Sequence, residues 1–121
     1  MKAKHDTREI GTEAERLAES FLIARNLRPI ARNHRCRYGE IDLVMRDGAV
    51  LVFVEVRFRR SDRYGSAAET VDRRKQKRLI TAARHYLKIN PSNSPCRFDV
   101  IAIDGHHRIH WIQHAFALDS T

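Results

Sequence analysis

The sequence predicts an α/β fold: a mixed β-sheet flanked by helices, with elements in the order α-β-β-α-β-β. Three observations predict it. A helical apolar face precedes residue 26, an Asp-Gly pair separates two β-type runs, and a basic amphipathic helix leads into a second strand pair. At 121 residues the chain has room for one domain, 1–121, able to bury about two-thirds of its unfolded surface.

The first helix rests on Ile10, Ala14, Leu17, Ala18, Phe21 and Leu22, which recur at the spacing of one helical face. It should stop between Asn26 and Pro29, since proline has no amide donor and turns the residue before it away from helical geometry. A basic stretch, Arg32 to Arg37, follows. Two β-type runs, Glu40 to Met45 and Val50 to Arg57, then flank Asp47-Gly48, a pair that suits the positive φ angles of a type I′ hairpin. Arg59 to Ser66 reads as an exposed loop. The second helix runs from about Val71 to Ile89, burying Leu79, Ala83, Tyr86 and Leu87. Its other faces carry Arg73, Arg74, Lys75, Lys77, Arg78, Arg84 and Lys88. After a turn-rich connection, Phe98 to Ile103 reads as a buried strand that returns through Asp104-Gly105 to Ile109–Ile112.

Hydrophobic content of 42% is ordinary for a globular chain and argues against disorder. The net charge of +8 favours a polyanionic partner: DNA, RNA or an acidic membrane surface. No run approaches the roughly 18 apolar residues of a spanning helix, and Met1 to Asp6 carries charge with no apolar run behind it, so a cytoplasmic protein is expected. Cys36 and Cys96 lack C-x-x-C spacing and are expected as free thiols. His106, His110 and His114 repeat every four residues, but Arg108 to Ile112 reads as a strand, which removes the shared helical face a metal would need.

The chemistry is expected in the first hairpin. With a two-residue loop at Asp47-Gly48, Glu40, Asp42, Val44, Leu51, Phe53, Glu55 and Arg57 share one face; Ile41, Leu43, Met45, Val50, Val52, Val54 and Val56 form the other. The first face sets three carboxylates among core-like neighbours, which costs free energy unless a cation neutralises them. Asp42 and Glu55 become diagonal neighbours with Cβ atoms about 7 Å apart or less, near enough to share a hard cation such as Mg²⁺. The alternative is a surface set of acids paired with Arg57, Arg97 or the second helix. Glu15 lies at the rim of the first helix's apolar stripe, about 20° beyond Leu22, and can point along the sheet toward the pair, whereas Glu19 points away.

Gly11-x-x-Ala14-Glu15, Gly39-Glu40-Ile41-Asp42-Leu43-Val44, Phe53-Val54-Glu55-Val56-Arg57, Val71-Asp72-x-x-Lys75 and Cys96-Arg97-Phe98-Asp99-Val100, followed by Ala115-Phe116, occur in order along nearly the whole chain. In these motifs the chain resembles the YraN family of small bacterial proteins. That family is similar to Holliday-junction resolvases and to PD-(D/E)XK nucleases. The resemblance implies a restriction-endonuclease-like fold and a Mg²⁺- or Mn²⁺-dependent cut in DNA, with branched DNA as substrate, in repair or recombination. It implies Asp42 and Glu55 as metal ligands, the Val56 carbonyl as a further ligand, and Glu15 as a ligand acting through water. Arg57 stands where such nucleases carry lysine, and Lys75 is the candidate substitute cation. Arginine keeps the charge but does not deprotonate.

Arg35, Arg37, Arg59, Arg60, Arg63, Arg73, Arg74, Lys77 and Arg78 would grip a nucleic-acid backbone with little sequence reading. A homodimer follows by analogy with resolvases, which meet paired cleavage sites. The competing reading is a non-catalytic nucleic-acid-binding module on a decayed nuclease scaffold. A basic RNA-associated factor ranks behind both, for want of interleaved exposed aromatics.

Overall fold

A computed structural model describes residues 7–59 and 71–117. Seven elements follow one another: α1 (Thr7–Ile23), β1 (Arg28–Cys36), β2 (Gly39–Asp47), β3 (Val50–Arg59), α2 (Arg73–Ile89), β4 (Cys96–Asp104) and β5 (Ile109–Phe116). They build one five-stranded sheet in the order β1-β2-β3-β4-β5. Only the β3–β4 pair is parallel, joined by the crossover through α2. The expected mixed sheet flanked by helices is present, with one strand more than the sequence reading gave. The basic run Arg32 to Arg37 is part of β1, an edge strand whose charged side chains face solvent, a composition that also protects an open edge. The segment 60–70, expected as an exposed loop, lies outside the described residues.

The sheet separates two cores. On one face α2 packs Leu79, Ile80, Ala83 and Tyr86 over Val44, Leu51, Phe53 and Phe98. On the other, Ala14, Ala18 and Leu22 of α1 cover Leu43, Met45, Val52, Val54 and Ile101. Along α1 the buried face is rotated from the expected stripe. Leu17 is exposed, while Glu19 is buried because Arg32 reaches it with two nitrogens, at 2.8 and 2.6 Å. The α2 N-terminus is capped by Asp72, whose side chain accepts from the Lys75 amide at 2.9 Å. Cys36 and Cys96 are free and half-buried. No described helix is long and apolar enough to cross a membrane.

The β2–β3 turn sits one residue later than expected. Asp47 pairs with Val50, so the loop is Gly48-Ala49, with Gly48 at φ 59° and Ala49 not in the left-handed region. A glycine alone at positive φ in the first loop position is the II′ pattern; the I′ turn expected from Asp47-Gly48 would have needed aspartate there instead. From Leu43 to Val54 the faces survive, because the shift moves the register by two. The last registered pair away from the turn is Leu43 with Val54, so Asp42 and Glu55 are the next residues on each strand.

Strict alternation fails at one place in β2. Ile41 lies in the α2-side core with Val44, not with Leu43 and Met45 as the period of two predicts. On the neighbouring strand Asn33 takes φ 51°, and the β1–β2 register passes from Arg32↔Leu43 to His34↔Ile41 without pairing Asn33 and Asp42. That kink turns the start of β2 over and releases Asp42 from the ladder.

Candidate metal centre

Asp42 is held where β2 and β3 stop pairing. Its Oδ2 accepts a hydrogen bond from the Val56 amide at 2.8 Å, so the side chain takes the place a partner-strand carbonyl would otherwise fill. Glu55, one residue earlier on β3, is only 6% exposed. Burial, then the Glu55 negative charge, raise the Asp42 carboxyl to about 8; the Val56 amide pulls the other way, while Glu15 and a hydrogen bond shared with Glu55 add to the rise. Two acids have been folded against each other, and one holds a proton that a cation would displace.

Two cations answer Glu55. Lys75 Nζ comes from α2 to 3.5 Å from its Oε2, and Arg57 Nη1 lies 3.7 Å from the same oxygen. Both separations leave the carboxylate short of close hydrogen bonds to either. Glu15 belongs to the same electrostatic neighbourhood. Burial and then the Glu40 charge raise its carboxyl, against a hydrogen bond with Asn33 and the Arg35 charge, with Glu55 adding to the rise. Glu40 is turned outward onto Arg35, with which it forms a close ion pair. Arg97, one of the cations considered for the acid face, is committed elsewhere: it contacts Asp47 at 2.9 Å and Asp99 at 3.0 Å.

The donor set fits a hard divalent ion on its chemistry. Among the described residues no three His, Cys, Asp or Glu side chains converge, so the protein's contribution is the Asp42–Glu55 pair. Mg²⁺ takes one or two carboxylates and fills its remaining positions with water and phosphate oxygens. Glu15 stands off from that pair. His110 and His114 lie on β5 with exposed side chains, and they join no such group among the described residues.

Of the basic residues expected to meet a backbone, Arg73, Arg74, Lys77 and Arg78 line one open cavity on α2. Arg35, Arg37, Lys75 and Arg78 line a second, about 660 Å³ in volume, between α2 and the β1–β2 hairpin. Arg60 and Arg63 lie outside the described residues, and of Arg59 only the backbone is described, paired with Asp104. Two residues escaped the sequence reading. Asn33 shapes the kink that frees Asp42, and its signal was an Asn, the side chain that best tolerates positive φ, inside a basic run. Tyr38 projects from the hairpin tip, 60% exposed, and its signal was an aromatic beside a glycine in a charged turn.

Comparison with known proteins places the chain. The family model described as Uncharacterised protein family UPF0102 matches residues 14–103, which contain Glu15, Asp42 and Glu55. A UPF0102 protein of Saccharophagus degradans is 53% identical over 119 residues, covering 97% of this chain and 98% of the relative. One from Aeromonas hydrophila is 54% identical over 109 residues, covering 88% and 83%. Another, from Nitrosomonas europaea, is 49% identical over 108 residues, covering 88% and 92%. Matched along most of its length by both kinds of comparison, the chain belongs to the UPF0102 family, as its YraN-like motifs anticipated.

Proposed function

We propose that this protein is a divalent-metal-dependent endonuclease that hydrolyses phosphodiester bonds in DNA, with branched DNA as the preferred substrate and repair or recombination as its setting. The observation that carries the reading is the Asp42–Glu55 pair, two acids held together beside Lys75 and Arg57 where the sheet opens. Asp42 and Glu55 would hold Mg²⁺ or Mn²⁺, with the Val56 carbonyl as a further donor and Glu15 acting through water. When bound, the metal supplies a water of lowered pKa and a Lewis acid for a phosphoryl oxygen. The Val56 amide fixes the Asp42 rotamer. Lys75 and Arg57 offset charge on the phosphate as the water oxygen bonds to phosphorus and the bond to the leaving oxygen breaks. Arg73, Arg74, Lys77 and Arg78 hold the backbone by charge, which makes binding salt-sensitive. The same reading takes the protein as cytoplasmic and, by analogy with resolvases, homodimeric.

A second reading, a nucleic-acid-binding module without catalysis, is favoured by Arg57 in the place of the usual lysine. Lys75 weighs against it, because an ammonium is present 3.5 Å from Glu55 after all. The deciding experiment is Mg²⁺- or Mn²⁺-dependent cleavage of four-way junction, flap and single-stranded DNA by the wild type and Asp42→Ala. Cleavage by the wild type alone is expected; a wild type that cuts none of them, or a mutant that cuts equally well, defeats the nuclease reading.

A further inference from the structure

Tyr38 is a large aromatic side chain, 60% exposed at the tip of the β1–β2 hairpin, in a groove whose charged lining is four cations and one acid, Glu40, which is paired with Arg35. Arg37 lies with its guanidinium 5.6 Å from the ring centroid, and Arg35, Lys75 and Arg78 line the same groove. The hairpin tip is pinned: a Cβ on Gly39 would stand 2.8 Å from the Arg78 carbonyl oxygen, so the backbone of the tip rests on the backbone of α2. Tyr38 is thereby fixed relative to Lys75, one turn back along α2, and Lys75 reaches within 3.5 Å of Glu55. Ring and cations line one groove, and Lys75 links that groove to the acid pair. Among the described residues Phe58 is also an exposed aromatic, and it lines a separate, smaller cavity with Glu13, Ala14, Leu17, Ile103 and His107, with no lysine or arginine in that lining.

Resting on the reading of the acid pair as a phosphodiester site, we infer that Tyr38 is a base-stacking residue that sets which nucleic-acid structures the groove accepts. Its partner is a strand with an unpaired, unstacked base close to the phosphate at Asp42 and Glu55. The cations of the groove attract phosphates whatever the sequence. The ring adds a contact that a base can make only after leaving its own stack, and every base has a face to offer. A continuous duplex keeps its bases stacked on one another and meets only the charges. A gap, a flap base or the open centre of a junction meets both, so Tyr38 converts a general affinity for polyanions into a preference for interrupted duplexes.

The test is equilibrium binding of the full chain in an Asp42→Ala background, at fixed salt, to two fluorescein-labelled DNAs of the same sequence: a continuous duplex and one with a short single-stranded gap. The background protein should bind the gapped DNA roughly tenfold more tightly, the scale of one stacked base. Tyr38→Ala should abolish the preference while leaving duplex affinity nearly unchanged, and Tyr38→Trp should keep it. A 2-aminopurine placed in the gap should be quenched by the Tyr38 and Trp-substituted proteins and not by the Ala variant. Equal weakening on both DNAs, an intact gap preference in Tyr38→Ala, or no binding to either DNA overturns the inference. Cleavage plays no part in these readouts, so failure of the nuclease reading would show only in the cutting assay, and failure of this one only in the binding pair.

Discussion

Lys75 on α2 holds its ammonium 3.5 Å from the Glu55 carboxylate, a shade nearer than the 3.7 Å of Arg57, which sits two residues further along Glu55's own strand. The strand cation beside Glu55 is therefore an arginine, and a lysine arrives at the same carboxylate from the helix above. The N-cap on Asp72 fixes the first turn of α2 and so the point from which Lys75 departs. An ammonium is a compact charge that can give up a proton, which a guanidinium does not.

From that geometry, Lys75→Ala should lower the metal-saturated cleavage rate by roughly 10²- to 10³-fold, the cost of removing one preorganised charge at a reacting phosphate. Arg57→Ala should cost less, and Arg57→Lys should restore part of the rate lost in Lys75→Ala. Single-turnover kinetics at saturating Mg²⁺ check this. A Lys75→Ala enzyme within threefold of wild type would remove Lys75 from the chemistry.

Metal affinity should climb with pH and then level off near pH 8. The buried Asp42 carboxyl, raised to about 8 first by desolvation and then by Glu55, has to lose its proton before it can be a ligand. Below that value each pH unit should change the apparent Mn²⁺ affinity about tenfold, one proton leaving per ion bound. Calorimetric titration at pH 6, 7 and 8, in buffers of different ionisation enthalpy, counts the proton directly. A flat affinity over this range is incompatible with Asp42 as a ligand.

The same proton governs stability without metal. In the unfolded chain Asp42 ionises near the ordinary 3.8, whereas in the folded protein it holds its proton to about 8. Between those values the folded state binds more protons, so the metal-free protein should lose stability as pH rises. Asp42→Asn keeps an oxygen to accept from Val56 and removes the charge opposite Glu55. It should therefore stabilise the metal-free protein at pH 8 by roughly 1–2 kcal/mol, and by clearly less at pH 5, where only the first part of that pH-dependent loss has accrued. Urea unfolding in EDTA at the two pH values measures it; a destabilised Asn variant at pH 8 would mean the two acids do not repel.

Periodicity carried the two helices, the hairpins and the meeting of Asp42 with Glu55, because a register shift of two residues leaves the paired residues from Leu43 to Val54 on their faces. It did not carry β1, whose Arg28-Pro29-Ile30-Ala31-Arg32-Asn33-His34-Arg35-Cys36 has the polar composition of an exposed edge and no apolar alternation. With β1 unseen, the kink at Asn33 was invisible, and with it the reversal that places Ile41 under α2. Glu19 was passed over for a similar reason: its burial depends on Arg32 from that same strand. Asp99 reads in sequence as one more acid in a buried strand. In the fold it accepts from Arg97 two residues back on β4, and from Trp111 Nε1 at 2.9 Å and the His114 amide at 3.0 Å, the last two across from β5, where no local pattern encodes them.

The close approach of the β1–β2 hairpin to α2 is the joint on which Tyr38, Lys75 and the acid pair depend, and Gly39 allows it. A methyl at position 39 would meet backbone, the Arg78 carbonyl oxygen at 2.8 Å and its carbon at 3.3 Å, which cannot rotate aside as a side-chain tip would. Either the hairpin or the helix must then move. Gly39→Ala should cost about 1–3 kcal/mol of stability by overpacking, with no positive φ at Gly39 to add backbone strain. It should also impair cleavage more than its stability loss explains, since any tilt of α2 carries Lys75 away from Glu55. Chemical denaturation and cleavage, measured on the same preparation, separate the two effects. A Gly39→Ala protein as stable and as active as wild type would show that the hairpin and α2 can part without disturbing the centre.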